Sequence, residues 1–498
     1  MRRHRVLVAV VGAAFVVACT AVLGLPDVPP AQEDEAGSDG ASPQTGSDAG
    51  VDGQSDATLA SGSGDGAARG AEGAADVVCV GEACAPACRP DVSQCAGQQP
   101  QTCGPTGTWQ DNGNACGPDQ TCFGGLCTGQ CGPAQVQCAG NVPQTCNGGA
   151  WQSGLACASP TPICADGGCV PLPSCRSGAA GAGVNCGPDA GADCCGCPLV
   201  SGGTCYRSCD HVSTDAGGLG CDYPSPAWVS NFRLDAFEVT VGRFRPFAAA
   251  VAGGWTPPEN SGTHAYLIGD GGDGLENVGD AGGYEQGWDT SWNSNLTPTT
   301  PNLDCQPSYE TWTDAPGPNE NMPINCLNWY EAYAFCIWDG GFLPSESEWN
   351  FAAAGGSGYD GFRSFPWSAS GTATIDCTYA NYRGGPLEDG ASETDYCVAP
   401  AFPTNVGSYS PKGDGKWAQS DLAGNVWEWL ADWWAPYVTP CTDCANLAPP
   451  PMLGIPPSRV IRGGSFDFES LYQHTAQRLY GVPSTRGYNV GTRCARAP

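Results

Sequence analysis

Six cysteines occur twice at matched spacing. Cys88, Cys95, Cys103, Cys116, Cys122 and Cys127 are answered by Cys131, Cys138, Cys146, Cys157, Cys164 and Cys169, and Trp109 is answered by Trp151. The period is about 42 residues, the length of one supersecondary unit in repeat proteins. A unit this small with a single Trp cannot bury enough apolar surface to hold itself together, so covalent cross-links must do it. Six cysteines allow fifteen pairings, and spacing does not choose among them. Zinc is the alternative use of clustered thiolates. These repeats, however, contain no Cys-x-x-Cys pair and no His, so disulfides are the better reading. Cys79 and Cys84 fit the tail of an incomplete earlier copy. The role of this region is spacing or recognition outside the cytoplasm.

Cysteine use elsewhere agrees with an oxidising compartment. The 498-residue chain has 31 Cys, too many for an ordinary reduced cytosolic enzyme. Charge narrows the partners. Lys and Arg number 20 against 51 Asp and Glu, for a formal net charge of -31. The counterion release that drives nucleic-acid binding has no source here, so a DNA or RNA partner is excluded.

Residues 1–19 open with Arg2, Arg3 and Arg5, continue with an apolar run from Val6 to Ala18, and end at Cys19. The run is short for a bilayer span and suits a signal peptide. Val16-Val17-Ala18-Cys19 resembles a bacterial lipobox, which implies acylation of Cys19 and a membrane partner through the lipid anchor. Thr20 after the Cys, where an Asp would retain the protein at the inner membrane, implies the outer membrane of the cell envelope. Residues 20–78 hold no Cys and no aromatic residue and are rich in Gly, Ala, Ser and Pro with scattered acids. That composition predicts a disordered acidic linker, with a coil span of roughly 45 Å. The organisation is therefore a signal peptide at 1–19, a linker at 20–78, Cys-rich repeats at 79–171 and a larger domain at 172–498.

Tryptophan is concentrated between Trp228 and Trp434, and a conventional core begins there. Trp329, Ala332, Tyr333, Cys336 and Ile337 share one helical face. A second helix is predicted after Ser345, which forms a capping box with Glu348, and it ends at Gly355-Gly356. Short strands are predicted at Arg233–Val241 and Ser458–Ile461. Much of the rest is Gly, Pro, Asn and Asp, which gives a loop-rich α+β domain.

FRLDAFEVTVGRFRPF (232–247), MPINCLNWYEAYAFCIWDGGFLPSESEWNFAAAGG (322–356), DLAGNVWEWLADWW (421–434), RVIRGGSF (459–466) and GTRCAR (491–496) stand in the order and spacing of the formylglycine-generating enzyme family, also called sulfatase-modifying factor. PLVSGGTCYRSCD (198–210) resembles its opening strand turn, with Cys205 and Cys209 where apolar or aromatic residues are usual. The resemblance covers about residues 172–498. It implies a loop-rich fold related to C-type lectins, with structural Ca²⁺, and a copper-dependent oxidation by O₂ of a sulfatase cysteine to formylglycine.

That chemistry needs two thiolates for the soft Cu(I) ion. The family carries them five positions apart, the first three residues beyond the Ser of its Gly-Gly-Ser turn. Counting from Ser465, these positions are Phe468 and Gln473, and there is no Cys between Cys444 and Cys494. A phenyl ring cannot ligate copper and a neutral amide is a poor Cu(I) ligand. Copper is therefore not expected, no catalytic residue is assigned, and Ser465 reads as a turn residue. The resemblance further implies a disulfide between Cys336 and Cys494. A second family bridge would need Cys at Ala353 and near Arg478, and both are absent. Cys305–Cys326, Cys377–Cys397 and Cys441–Cys444 are plausible further bridges. A redox or zinc role for Cys441-Thr-Asp-Cys444 lacks a His or second Cys pair to support it.

Ca²⁺ takes carboxylate and backbone oxygens together. The resemblance implies one site from Asp421, Glu428 and the carbonyls of Gly424 and Val426. It implies a second beginning at Asn381 and Tyr382, with Asp395 a candidate for its downstream acid. Other branches of the family hold iron through His. Here only His211, His264 and His474 follow the signal segment, without paired spacing. Phosphate-loop, dinucleotide and nucleophile-elbow motifs are absent. Two readings follow: a lipid-anchored domain that binds a peptide, glycan or protein ligand without oxidising it, or a divergent oxidase or hydroxylase acting on a secreted peptide.

Overall fold

The computed structural model describes residues 77–80 and 83–86 by backbone alone, and 88–498 apart from 90–91, 119, 133, 140–141, 148, 156, 158–160, 162, 210–224, 268–272, 279–282, 357–362, 369–373, 385–395, 399–400 and 451–455. Cys19, the signal segment, nearly all of the 20–78 linker, His211 and Asp395 lie outside the described residues. The chain divides into two units, one containing the first repeat and one containing most of the second repeat with everything after it.

The first repeat is a three-stranded antiparallel sheet, Ser93–Ala96, Gln99–Cys103 and Trp109–Asp111, followed by a hairpin of Cys122–Phe123 and Leu126–Cys127. Gly124 and Gly125 both take positive φ at the hairpin tip, the conformation that a two-residue turn of this hand requires. Trp109 is only half-buried, and few of the described residues of this unit are buried. Cys88–Cys103, Cys95–Cys122 and Cys116–Cys127 hold it instead. The second repeat shows the same cross-links at Cys138–Cys164 and Cys157–Cys169. In both hairpins the last two cysteines face each other, Cys122 opposite Cys127 and Cys164 opposite Cys169. Cys79 likewise faces Cys84, in the antiparallel pair Val77–Val80 and Ala83–Pro86.

The larger domain mixes short strands with few helices. Helix α1 spans Val241–Ala252, α2 Trp329–Trp338 and α3 Glu346–Ala354. The main sheet has β1 (Trp427–Trp433), β2 (Arg459–Arg462), β3 (Leu479–Gly481) and β4 (Val490–Gly491) in the order β3-β2-β1-β4. β1 runs antiparallel to β2 and parallel to β4, and its residues are nearly all buried, as befits a central strand covered on both faces. Trp288, Trp329 and Trp427 anchor one core cluster and Trp349 a second.

Both helices read from the sequence form, and their ends have local causes. Ser345 Oγ accepts from Glu348 N while Glu348 accepts from Ser345 N, and Gly355 closes α3 at φ +77. Asn328 and Glu331 make the same reciprocal cap on α2. The strand expected at Arg233–Val241 is shorter, Phe232–Leu234, and Val241 instead begins α1. Thr240 Oγ1 accepts from Arg243 N, and Val241, Phe244, Phe247 and Ala248 fill one helical face, which outweighs Pro246 inside the helix. The strand expected at Ser458–Ile461 is Arg459–Arg462.

Cys336 bonds to Cys494, tying α2 to the chain end across 158 residues. Cys305–Cys326, Cys377–Cys397 and Cys441–Cys444 are also bonded, so Cys441 and Cys444 close a tight local loop. Two buried cysteines, Cys197 and Cys205, are free, and burial pushes each thiol up to about 12. Among the described residues no helix is long and apolar enough to cross a membrane.

Candidate functional site

The loop after β2 brings Ser465, Phe468 and Gln473 together. Gly463 and Gly464 turn the chain with positive φ, and a Cβ on Gly464 would lie 2.1 Å from Gln473 Oε1. Gln473 is 1% exposed, and its Nε2 donates to the carbonyls of Ser465 at 3.2 Å, Phe468 at 3.0 Å and Glu469 at 3.3 Å. Phe468 is buried edge-on against Trp427 and Tyr472. Ser465 is fully buried and its Oγ accepts from Asp467 N. Gln473 is thus a brace across its own loop and Phe468 a core residue. Neither supplies a soft donor, and the pair does not fit copper.

Beside this loop lie groups that the sequence reading did not single out. Asp467 accepts from Tyr396 Oη at 3.0 Å and from Tyr488 Oη at 2.6 Å, and Tyr309 packs on Tyr488. The partners come from three separate segments, so no local pattern announces them.

Asp421, Gly424, Val426 and Glu428 occupy one turn and the strand it enters. Asp421, Gly424 and Asn425 all have positive φ. Asp421 Oδ2 accepts from Gly407 N at 2.5 Å, and burial pushes its carboxyl up to about 6. Glu428 sits differently. Both of its oxygens face Arg493 Nε, at 2.9 and 2.8 Å, and Trp349 Nε1 donates to Oε2 at 2.7 Å. Glu238, absent from the sequence reading, accepts from Asn425 Nδ2 at 2.6 Å and Val426 N at 3.0 Å. Burial, together with the charges of Asp421 and Glu428, raises its carboxyl well above the usual range. Glu238 is thereby favoured in its protonated form, while carboxylate and carbonyl oxygens of this turn are hard donors that suit Ca²⁺ in kind. Glu428 is already neutralised, which leaves Asp421 and backbone carbonyls as the ligands on offer. Asn381 joins this turn, its carbonyl accepting from Asn425 N at 2.8 Å. Tyr382 is buried in a neighbouring cluster with Phe365.

His264 is buried between two acids: Nδ1 lies 2.9 Å from Glu285 and Nε2 3.0 Å from Glu348. Burial alone would lower its pKa; the two carboxylates outweigh that and hold it up at about 10. It is a charged brace. His474 is buried against Phe365. Among the described residues no group of three or more His, Cys, Asp and Glu is arranged to hold a metal ion.

Two cavities open elsewhere. One of about 480 Å³ is lined by Ser230, Tyr266, Asp443 and Pro498 among others. The other, of about 610 Å³, has walls of Trp288, Trp292, Trp329, Tyr333 and Trp433 around Arg459.

Residues 189–498 match the sulfatase-modifying factor enzyme 1-like domain, so the chain belongs to the formylglycine-generating enzyme (sulfatase-modifying factor) family. It is 30% identical over 231 residues to the formylglycine-generating enzyme of Thermomonospora curvata, a match that covers 43% of this chain and 73% of that protein. It is 30% identical over 201 residues to the inactive C-alpha-formylglycine-generating enzyme 2 of Mus musculus, covering 37% of this chain and 54% of the relative. Hercynine oxygenase of Mycobacterium tuberculosis is 30% identical over 173 residues, 35% of this chain and 36% of that protein. The matches to the mouse and mycobacterial proteins thus span about half and about a third of those relatives.

Proposed function

We propose that this protein is a lipid-anchored envelope protein whose family domain binds a peptide, glycan or protein ligand and does not carry out copper-dependent oxidation. One observation carries the reading: where the family places its two thiols, this chain has Phe468 packed into the core and Gln473 hydrogen-bonded to three carbonyls of its own loop. A mammalian relative whose own name marks it as inactive fits the same picture. Cys19 is the proposed lipid attachment point. Ca²⁺ is proposed at the 421–428 turn, held by Asp421 and the carbonyls of Gly424 and Val426, with a role in folding and not in chemistry. A fold related to C-type lectins is part of this proposal, and nucleic acid is not a partner.

The test is metal content and oxygen consumption of the purified protein with cysteine-containing peptides. The expected result is substoichiometric copper and no uptake of O₂; stoichiometric copper with turnover overturns the proposal. A divergent oxidoreductase is the second reading, favoured by the similarity to hercynine oxygenase. Stoichiometric iron together with O₂ uptake in the same experiment would establish it.

A further inference from the structure

Most buried guanidinium groups among the described residues of this domain are matched to carboxylates. Arg243 pairs with Asp235 and Asp339, Arg462 and Arg478 with Glu346, and Arg493 with Glu428. Arg207 has no carboxylate partner but bonds through all three nitrogens, to Ser225 O, Cys444 Sγ and Val438 O. Arg459 differs from all of these. It is 4% exposed, yet among the described residues it has no ion pair, its one hydrogen bond runs to the carbonyl of Ala431, and its buried Nε has no partner. Its guanidinium is stacked between Trp329 and Trp433, 3.8 Å from each ring centre. Burial lowers its pKa to about 9. Indole faces stabilise a cation but cannot accept its N–H groups in the plane, so the in-plane donors remain to be satisfied. An unpaired buried charge is costly, and the side chain lines the 610 Å³ cavity, a volume within the range of small-ligand sites.

We propose that this cavity is a binding site for a sugar ring bearing a single carboxylate, a uronic acid, with the carboxylate on Arg459 and the ring against Trp292 and Trp433. The cavity supplies the chemistry for both halves. Trp292 and Trp433 are half-buried in the cavity wall, where indole surface suits the C–H face of a ring. At the mouth stand Glu259, Asn260, Gln286 and Asp289, all exposed. Amides and carboxylates together serve hydroxyl groups, which both donate and accept. Glu259 and Asp289 also repel a second negative charge, so a ligand with one deep carboxylate and a hydroxylated remainder fits better than a multiply acidic peptide. Glu285, the other acid of the lining, is already engaged by His264 and does not neutralise Arg459. This inference deepens the binding reading above and names its ligand class. It fails separately, since metal content and oxygen uptake test that reading and ligand titration tests this one.

The experiment is a titration of the full chain, followed by calorimetry and tryptophan fluorescence, with glucuronate, glucose and benzoate as probes. Saturable binding of glucuronate, at least ~10-fold tighter than glucose, is expected, because a charge-assisted contact to Arg459 is worth about a factor of ten or more. Arg459→Gln should weaken glucuronate by a similar factor and leave glucose unchanged, and Arg459→Lys should restore part of the loss. If Arg459→Gln fails to fold, the glucuronate-to-glucose ratio on the unaltered protein still decides the matter. Equal affinity for glucose and glucuronate, or no saturable binding of glucuronate, overturns the proposal. Benzoate bound in preference to glucuronate overturns the sugar assignment.

Discussion

The side-chain amide of Gln473 donates to the backbone carbonyl of Phe468 at 3.0 Å, joining the two positions where the family's thiols are expected. The contact clamps the loop, since the same amide also donates to the carbonyls of Ser465 and Glu469. Gln473→Ala should leave the carbonyls of Ser465, Phe468 and Glu469 without this donor in a buried loop. Loss of about 1–3 kcal/mol is expected, read as a lower urea midpoint. An unchanged midpoint would mean that the amide does not brace the loop.

Placing thiols at both positions tests the copper assignment directly. Phe468→Cys with Gln473→Cys should bind Cu(I) in competition with a colorimetric chelator, where the unaltered protein does not. If the double variant folds, with its melting curve as control, and still holds no Cu(I), the assignment of these two positions is wrong.

Calcium should raise the melting temperature and a chelator should lower it, because a ligand bound only by the folded state stabilises it by linkage. Asp421→Ala should abolish this response. Glu428→Ala should destabilise the protein with or without calcium, since it strands Arg493 in the core. Scanning calorimetry with and without chelator separates the two, and a calcium response that survives in Asp421→Ala removes Asp421 from the site.

His264 gives a pH dependence with a defined sign. Its folded pKa of about 10 lies above the ordinary 6.5. The folded state therefore binds the proton more tightly, and the stabilisation is complete below about pH 6.5 and is lost as pH rises through 10. In His264→Gln this component of the stability change should vanish across that window. Urea unfolding at several pH values measures it, and equal slopes for both proteins would show that His264 is not the responsible group.

Glu346 is the hub of a buried network. It pairs with Arg462 and Arg478, and although burial opposes its charge, the two guanidinium groups hold its pKa down at about 2. Glu346→Ala leaves two buried cations unpaired and should cost about 3–5 kcal/mol. Because its folded pKa lies below the usual value, its contribution is present above the unfolded pKa and is lost as pH falls towards 2. Acid unfolding monitored by near-ultraviolet circular dichroism should show the variant losing structure at higher pH than the unaltered protein. Coincident acid transitions would remove Glu346 from that role.

What could be read in advance follows the range of the interactions. The ends of α3 were legible because a capping box spans three residues, Ser345 to Glu348, and needs nothing from elsewhere. The same pattern at Asn328 and Glu331 is just as local and was available to be read. Helix α1 was not read from the sequence, where the strand expected at Arg233–Val241 runs into its first residue. Its face is decided by packing against Phe335 of α2. Glu238 was not legible at all, since it meets Asn425 and Val426 across 187 and 188 residues.

By itself, the sequence determined the cysteine-rich repeats and the family of the larger domain. These are matters of composition, spacing and residue identity, which survive without coordinates. Only the tertiary structure decided which of fifteen cysteine pairings is used in the first repeat, that Gln473 is spent on its own loop, that Arg493 already holds Glu428, and that Arg459 is buried between Trp329 and Trp433 with no ion pair among the described residues. The reason is that charge compensation and burial depend on neighbours brought together by folding, and no spacing along the chain encodes them.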